Sequence, residues 1–288
     1  MNIIVNFNKE KGITSHDAVQ SVKKFFKVKK AGHAGTLDPI ATGVILICLN
    51  EATKITGFLA DLDKEYIMTA KLGESTDTYD SEGRIIKKVD ISNISLGIED
   101  IKKIIRGFIG PIEQVPPMFS AIKASGKPLY ELARKGIEIE RKPRIITINS
   151  IDIINLEMPF LSLKVSCSKG TYIRSLCNDI GNALGIGAHI VELTRTRIGD
   201  FSIENSSKIS ELPNKTSALH TIDSALRHLP EVRLKGDNLK RARNGNPFKL
   251  AEGDYQGHYI RLKDPDGRLL GIGKVTNGSV IIKRLFNF

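Results

Sequence analysis

The chain has 288 residues, of which 41% are hydrophobic and 26% charged, a balance typical of a globular protein with a sizeable core. Lys and Arg number 43 against 32 Asp and Glu, and the resulting formal charge of +11 favours a polyanionic partner, either nucleic acid or an anionic membrane surface. No apolar run approaches the roughly 18 residues of a membrane span, and the N-terminus lacks the layout of a signal peptide. We therefore expect a cytoplasmic protein that does not enter a membrane.

Hydrophobic periodicity predicts both helices and strands in the larger, N-terminal part of the chain. Ser15 is a suitable N-cap for a helix that reaches about Phe26. Apolar runs and alternating patterns predict the strands, and apolar residues at helical spacing predict the other helices. The predicted strands are residues 44–49, 66–72, 144–156 and 161–168, and the further predicted helices are residues 98–108, 128–135 and 171–184.

A polar segment that contains a proline, residues 206–221, predicts a domain boundary. Beyond it we expect a basic helix and then three strands, two of them joined by the strong turn signal Asp-Pro-Asp-Gly. The predicted helix is residues 235–243, and the predicted strands are residues 258–263, 268–275 and 279–285. The chain is therefore divided into a large domain, residues 1–221, and a small β-rich domain, residues 222–288.

The most informative stretch is residues 32–54, which read GHAGTLDPIATGVILICLNEATK. Asp38 is the one acid in its first half, and the Pro39 that follows keeps it out of helical geometry. The glycines around it allow the backbone to pass close to a bulky ligand. A basic run precedes the loop, so this carboxylate suits a nucleophile or base that acts on a polyanion. A surface turn is the ordinary interpretation of an Asp-Pro dipeptide alone.

The whole string resembles the motif GHxGTLDPxAxGxLxxxxxxATK of the TruB family of tRNA pseudouridine synthases, and the match is long and specific. In that family the Asp of GTLDP is the catalytic residue, so the resemblance implies that Asp38 carries catalysis. It also implies that His33 lies beside Asp38 and helps to hold the substrate. The likeness runs in the family's order to about Phe201, and beyond residue 222 it weakens to that of a small PUA-type RNA-binding domain.

A second motif, residues 64–83, reads KEYIMTAKLGESTDTYDSEG and is similar to the family's KxYxxxxxLGxxTDTxDxxG. An enzyme that works on a base must first unstack it, and it often holds the extruded base on an aromatic face. The resemblance implies that Tyr66 contacts the flipped uridine and that Asp80 joins the polar network of the site. A half-buried aromatic residue of a strand is the alternative interpretation of Tyr66.

A third motif, residues 169–181, reads KGTYIRSLCNDIG and matches the family's KGTYIRSLxxDxG, in which the Arg pairs with the catalytic Asp. Burial under a flipped base disfavours an ionised carboxylate, and a guanidinium at hydrogen-bond distance favours it and fixes its direction. The resemblance therefore implies that Arg174 is the partner of Asp38, with Tyr172 as a wall of the pocket. A single Arg on a helix is ordinarily a solvated surface charge.

The fourth motif, residues 187–201, reads GAHIVELTRTRIGDF and is close to the family's AHLxxLRRTxxGxF. The resemblance implies that Leu193 lines the uracil pocket, although plain core packing also explains a leucine there. The chain departs from the family at Thr194, where many relatives carry Arg, while Arg195 and Arg197 keep some of the charge.

Residues 114–136 read QVPPMFSAIKASGKPLYELARKG, close to the family's QxPPxxSAxKxxGxxxYxxAR. The segment carries no acid-base pair, and its basic residues favour a clamp on RNA phosphates over a chemical role. A solvated loop and helix is the alternative. The basic residues that extend it are Arg134, Lys135, Arg141, Lys142 and Arg144.

Several motifs of other enzymes are absent from the sequence. There is no GxxxxGK[ST] phosphate loop, no GxGxxG after a strand and no HExxH. The three cysteines form no CxxC pair, and the six histidines are scattered without metal-ligand spacing. We expect reduced thiols, no metal and no cofactor, because isomerising uridine breaks and remakes a bond to the same base.

The resemblance implies an α+β fold, in which a mixed α/β catalytic domain surrounds a curved, mostly antiparallel sheet and a small β-rich PUA-like domain follows. It implies that the protein converts uridine 55 in the T arm of tRNA to pseudouridine by base flipping. Asp38 would attack C6 of the base or C1′ of the ribose, or abstract a proton from C2′, and Tyr66 is a candidate acceptor of the C5 proton.

Two other functions stay open on the sequence alone. One is a tRNA-folding chaperone that needs the basic surface and no catalysis. The other is a guide-dependent synthase, although the chain lacks the long Lys-rich tails expected of eukaryotic relatives. We expect a monomer that acts on the T-arm stem-loop without a guide RNA.

Overall fold

The computed structural model describes residues 1–94, 96–120, 122–124, 126–133, 135–250 and 255–287. Its first fourteen strands are β1 (Ile3–Lys9), β2 (Ala31–Ala34), β3 (Thr42–Leu49), β4 (Lys64–Leu72), β5 (Glu74–Thr76), β6 (Ile85–Lys88), β7 (Gly110–Gln114), β8 (Lys123–Ala124), β9 (Lys127–Pro128), β10 (Arg144–Glu157), β11 (Phe160–Cys167), β12 (Ala188–Ile198), β13 (Phe201–Ser202) and β14 (Leu219–Thr221). The remaining strands are β15 (Glu231–Arg233), β16 (Phe248–Lys249), β17 (Tyr259–Lys263), β18 (Leu269–Thr276) and β19 (Ser279–Leu285). The α-helices are α1 (Ser15–Phe25), α2 (Thr56–Ala60), α3 (Ile98–Arg106), α4 (Leu129–Ala133), α5 (Ile173–Ala183), α6 (Ile222–Ala225) and α7 (Gly236–Arg243).

A ten-stranded sheet forms the frame of the larger part of the molecule, in the order β14-β1-β3-β12-β4-β11-β10-β7, with β2 paired to β3 and β13 to β12. Every pair in it is antiparallel except β3 with β12. A second sheet, in the order β15-β17-β18-β19-β16, occupies the C-terminal part. The predicted α+β fold, with a mostly antiparallel curved sheet and a β-rich C-terminal domain, is confirmed.

Strand β3 carries the loop of Asp38 into the centre of this sheet, and both of its faces are buried. Val44, Leu46 and Cys48 face the core that the C-terminal sheet helps to close. The alternate residues Ile45 and Ile47 face the core under α1. A strand buried on both faces reads as a continuous apolar run, which is why the sequence predicted it well.

Strand β12 lies between β3 and β4, yet the sequence analysis assigned no element to residues 188–198. Its residues from Glu192 to Arg197 are mostly polar or charged, so the sequence pattern did not indicate a central strand.

A third core lies on the far side, where Ile101 of α3 and Leu176 of α5 pack against β4, β10, β11 and β12. Helix α5 is thereby fixed against the strands that line the candidate site.

The N-cap of α1 lies one residue earlier than predicted, because Thr14 is the cap and Ser15 is already helical. Thr14 and Asp17 form a capping box, in which each side chain accepts a hydrogen bond from the other's backbone N–H. Ser15 instead binds the loop of Asp38: its hydroxyl accepts from the N–H of Leu37 at 2.8 Å and donates to the carbonyl of Leu37 at 2.9 Å. The start of α1 therefore holds the residue before Asp38.

The C-terminal sheet packs against the large one through apolar side chains. Leu269, Ile272 and Phe286 lie in the same buried core as Ile4 and Val44 of the large sheet. The two sheets therefore share a hydrophobic core. The domain boundary at residue 222 stays a prediction.

Within the described parts of the chain, no helix is long and apolar enough to cross a membrane. Cys48, Cys167 and Cys177 are buried and free of disulfide bonds. Burial raises the pKa of Cys48 to about 12 and that of Cys167 to about 11, so both are inert thiols.

Candidate active site

Asp38 lies in the loop between β2 and β3, and that loop is held from two sides. On one side Ser15 holds Leu37 by the two hydrogen bonds already described. On the other, the N–H of Gly12 donates to the carbonyl of Pro39 at 2.8 Å. The backbone on each side of Asp38 is therefore anchored to the segment around the start of α1, which makes the direction of the carboxylate reproducible.

Arg174, in the first turn of α5, grips the carboxylate of Asp38 with two nitrogens. Its Nε donates to Oδ2 at 2.8 Å and its Nη2 donates to Oδ1 at 3.2 Å. The Arg174 side chain is 5% exposed and the Asp38 side chain 36%, so the pair is covered on the arginine side and open on the carboxylate side. A bidentate, charge-assisted pair of this kind fixes the direction of the carboxylate.

The other contacts of Arg174 fix the guanidinium itself. Its Nη1 donates to the carbonyl of Thr78 at 3.0 Å, and its Nη2 donates to the carbonyl of Phe119 at 2.7 Å. Nη1 also lies 3.5 Å from Oδ2 of Asp80, a buried carboxylate. Asp80 accepts from the hydroxyl of Thr78 at 2.6 Å and from the N–H of Glu82 at 3.1 Å. Asp80 thus supports Arg174 and does not contact Asp38.

Asp38, Tyr66, Tyr172 and Leu193 line one cavity of about 260 Å³. Tyr66 comes from β4 and Leu193 from the neighbouring β12, while Tyr172 immediately precedes α5. Burial raises the pKa of Tyr66 and of Tyr172. Two aromatic rings and a leucine beside a fixed carboxylate suit a planar, polar ring such as a nucleobase.

His33 lies in β2, and its side chain lines a second hollow of about 510 Å³ on the other side of Asp38. Asp38 and Arg174 line both cavities, whereas His33 and Tyr66 line one each. Burial, followed by the charges of Arg195 and His16, lowers the pKa of His33, so the ring is neutral near pH 7. Its buried Nδ1 has no hydrogen-bond partner among the described residues.

Sequence reasoning missed Arg195, which is 1% exposed in the middle of the large sheet. Its Nε donates to the carbonyl of Val44 at 2.7 Å, Nη1 to that of Thr36 at 3.2 Å and Nη2 to that of Gly35 at 3.1 Å. Arg195 therefore ties the loop of Asp38 to β3. The close approach of the two strands requires Gly43, because a Cβ there would lie 2.2 Å from the carbonyl oxygen of Arg195.

Two buried lysines were also missed. Lys9, the last residue of β1, is fully buried, and its ammonium donates to the carbonyls of Glu10 at 2.9 Å and Ile13 at 2.8 Å. Lys64 lines the cavity of Tyr66 and donates to the carbonyls of Ala60 and Leu62. Burial lowers the pKa of each lysine to about 8. The lysine in the KxY pattern was the available signal for Lys64.

Thr194 has a structural partner that explains a short side chain there. Its hydroxyl lies 2.9 Å from that of Thr42, at the parallel pairing of β12 with β3. The neighbouring Arg195, in the same strand, supplies the buried cation.

The basic segment that was predicted to clamp RNA begins at the site. Gln114 and Tyr172 exchange two hydrogen bonds: the Tyr172 N–H donates to Oε1 at 2.7 Å and Nε2 donates to the Tyr172 carbonyl at 3.1 Å. Arg141 reaches back to the carbonyl of Pro116 at 3.3 Å. Arg134 lies outside the described residues. Over the part of the chain that is described, no cluster of His, Cys, Asp and Glu is arranged to hold a metal ion.

Three family models together cover most of the chain. The N-terminal domain of TruB family pseudouridylate synthase matches residues 23–173, the tRNA pseudouridylate synthase B C-terminal domain matches residues 174–229, and the C-terminal domain of pseudouridine synthase II TruB matches residues 230–286. The chain belongs to the TruB family. The prediction of a tRNA pseudouridine synthase, an isomerase, is confirmed at the level of this family.

Known proteins similar to this TruB family member span nearly its whole length. The tRNA pseudouridine synthase B of Clostridium kluyveri is 48% identical over 86% of this chain and 86% of its own. That of Clostridium tetani is 43% identical over 99% of this chain and 100% of its own. Among solved structures, a Cbf5-Nop10-Gar1 complex contains a chain that is 26% identical, with a TM-score of 0.77 over 98% of this chain and 84% of that one.

Proposed function

We propose that the protein converts uridine 55 in the T arm of tRNA to pseudouridine, and that Asp38 is its catalytic residue. The observation that carries the proposal is the bidentate pair of Asp38 with Arg174 at a cavity lined by Tyr66, Tyr172 and Leu193. Those residues come from four separate motifs, and they meet around one space of nucleobase size.

Each residue has a separate part in the proposed reaction. The target uridine leaves the stack and enters the cavity, where Tyr66 and Tyr172 contact its ring and Leu193 packs on it. Asp38 then attacks C6 of the base or C1′ of the ribose, or takes a proton from C2′; all three routes need an ionised carboxylate aimed into the cavity. Arg174 orients Asp38, and Asp80 orients Arg174.

The uracil then rotates and reattaches to the ribose through C5, and Tyr66 accepts the proton that leaves C5. His33 lies outside the uracil cavity, in the adjoining hollow. Its neutral ring suits a contact with the rearranged RNA loop next to the flipped nucleotide. No cofactor takes part in this scheme, because the bond that breaks and the bond that forms involve the same two fragments.

The proposed partner is a T-arm stem-loop alone, bound by a monomer in the cytoplasm, where tRNA is modified. The support is that the two relatives named as tRNA pseudouridine synthase B match over 86% and 100% of their own length. The matching chain of the Cbf5-Nop10-Gar1 complex is less similar, at 26% identity. A guide-dependent enzyme, which the sequence left open, is the alternative.

The direct test offers the purified protein an isolated T-arm stem-loop with no other RNA present. Pseudouridine formation at the target position supports a stand-alone synthase. The control stem-loop carries cytidine at that position, so that modification of another uridine is detected. Activity that appears only after adding a second RNA would contradict the proposal of stand-alone action.

A further inference from the structure

Arg195 is a buried cation with no carboxylate partner among the described residues. Its three hydrogen bonds go to the carbonyl groups of Gly35, Thr36 and Val44. A guanidinium has five N–H donors, so two of them are left over for other acceptors. Placing an unpaired charge in a protein interior is costly, and a positive charge there stabilises any negative charge that forms nearby.

The side chain directly opposite is that of Tyr66. The antiparallel register of β4 and β12 pairs Tyr66 with Arg195, so both side chains are on one face of the sheet. Both line the cavity that also contains Asp38. Burial raises the pKa of Tyr66, and the charge of Arg195, together with a hydrogen bond from it, opposes that rise.

We propose that Arg195 is a positioning residue that stabilises the phenolate of Tyr66 and so enables Tyr66 to take the proton from C5. The inference rests on the proposed function and adds a residue to it. In the step concerned, the proton leaves C5 for the phenolate oxygen, and the electron pair of the C–H bond becomes the C5=C6 double bond. On the route through C6, the bond from C6 to the Asp38 oxygen breaks and its electron pair returns to the carboxylate. On the other routes, the π pair of the C6=N1 bond moves to N1. The phenol then returns a proton to N1 of the product or to water.

The other cations of the cavity are less suited to stabilising this phenolate. Arg174 is engaged with Asp38, Thr78 and Phe119. Lys64 points its ammonium at the carbonyls of Ala60 and Leu62. Arg195 is the cation that lies across the strand pair from Tyr66 and keeps free donors.

The test is the primary isotope effect on a stem-loop that carries deuterium at C5 of the target uridine. Arg195→Gln removes the charge, and the C5 step should become rate-limiting, with isomerisation about a hundredfold slower and an isotope effect at least about twofold larger than that of the wild type. Arg195→Lys keeps the charge, so its isomerisation rate and its isotope effect should both lie much closer to the wild-type values. Arg197→Gln, two residues along the same strand and paired with Glu65, is the matched control and should resemble the wild type.

An RNA with 5-fluorouridine at the target has no C5 proton, so its rearrangement reports only the earlier steps. These steps should slow far less in Arg195→Gln than the whole reaction does. Equal slowing of both, with an unchanged isotope effect and no recovery in Arg195→Lys, would show that Arg195 acts only on the loop of Asp38 and would overturn the inference. If Arg195→Gln does not fold, Arg195→Lys is tested in its place. An isotope effect equal to that of the wild type, together with a slower reaction of the 5-fluorouridine RNA, would also overturn the inference. Failure of the proposed function is distinct: the wild type itself would then form no pseudouridine.

Discussion

Two groups of charged residues in this protein are built in opposite ways. The junction cluster, Asp223, Glu231, Arg261 and Lys263, joins α6 to the C-terminal sheet, and each of its two cations contacts both carboxylates at distances from 2.7 to 3.5 Å. The site cations, Lys9, Lys64, Arg174 and Arg195, are all buried, and of these Arg174 alone among the described residues forms ion pairs.

The two groups differ in whether their charges are neutralised by neighbouring charges. In the junction cluster the charges balance, so the cluster contributes to docking and leaves little potential around it. At the site, three cations bind carbonyl oxygens and keep their charge uncompensated in a medium of low polarity. Such a region attracts polyanions and stabilises a carboxylate or phenolate, which is what the proposed chemistry needs.

Within the two groups of charges, the largest effect is expected at Arg174. Arg174→Lys replaces a two-point grip on Asp38 by a single ammonium, so kcat should fall about 10²- to 10³-fold while RNA affinity stays nearly constant. Single-turnover kinetics with a T-arm stem-loop measure the loss, and Arg197→Lys, a half-exposed arginine, is the control. A loss below tenfold would mean that the orientation of Asp38 does not depend on the guanidinium.

The buried lysines predict a second, pH-dependent difference. The pKa of Lys9 falls from 10.5 to about 8 on folding, because burial outweighs the attraction of Asp38. Between these pH values the unfolded chain binds more protons, so the free energy of unfolding should rise with pH, by about 2 kcal/mol from this lysine between pH 8 and pH 10. Denaturant titrations at pH 8 and pH 10 measure the rise. In Lys9→Met this rise in the free energy of unfolding should be smaller, whereas Lys11→Met, at an exposed position, should keep all of it. An equal rise in both variants would refute the assignment to Lys9.

In the junction cluster folding favours the charged forms, whereas it disfavours the charged form of Lys9. Burial alone would raise the pKa of Asp223, but hydrogen bonds from Lys263 and Arg261 outweigh it and hold that pKa below its ordinary 3.8. The stabilisation is therefore present above that value and is lost as the pH falls through the lowered pKa of the folded state. The pKa of Lys263 is raised by Asp223, so its share is lost as the pH rises beyond 10.5.

Asp223→Asn should reduce the free energy of unfolding by about 1–2 kcal/mol near pH 7 and leave kcat unchanged. Denaturant unfolding and turnover are measured on the same preparation, with Asp266→Asn in an exposed turn as the control. A marked loss of kcat with unchanged stability would remove the distinction between a docking cluster and a catalytic one.

The smallest effect is expected where the loop of Asp38 meets α1. Thr14→Ala removes the N-cap of α1 and should cost about 1 kcal/mol of stability. The bonds between Ser15 and Leu37 remain, so turnover should change little. A thermal melt combined with a rate measurement tests this, and a large loss of rate would show that the cap, and not Ser15, holds the loop.

Much of the site was accessible from the sequence, because its residues lie in contiguous motifs. Asp38 is the acid of a glycine-rich loop. The other site residues each lie within a recognisable sequence motif, and the fold brings these motifs together around one cavity: Tyr66, Tyr172, Arg174 and Leu193. Their catalytic roles stay predictions. His33 was expected beside Asp38, and the structure places it in the adjoining hollow.

The buried cations were not accessible in the same way. Arg195 reaches Gly35 only because β12 lies beside β3, and that parallel pairing joins residues about 150 positions apart. Nothing local distinguishes Arg195 from the more exposed Arg197 on the same strand. Helix and strand assignments fared better for apolar segments such as β3 than for β12, which is mostly polar from Glu192 to Arg197.

One measurement tests the central claim most directly. A T-arm stem-loop with tritium at C5 of the target uridine is mixed with the wild type and with Asp38→Asn, and tritium release and RNA binding are followed together. We expect release by the wild type, none by Asp38→Asn, and similar binding by both, since Asn fits the same space without the charge. Equal release by the two proteins would contradict the assignment of Asp38, and binding without release by either would leave an RNA-binding protein whose buried cations serve no chemistry on this RNA.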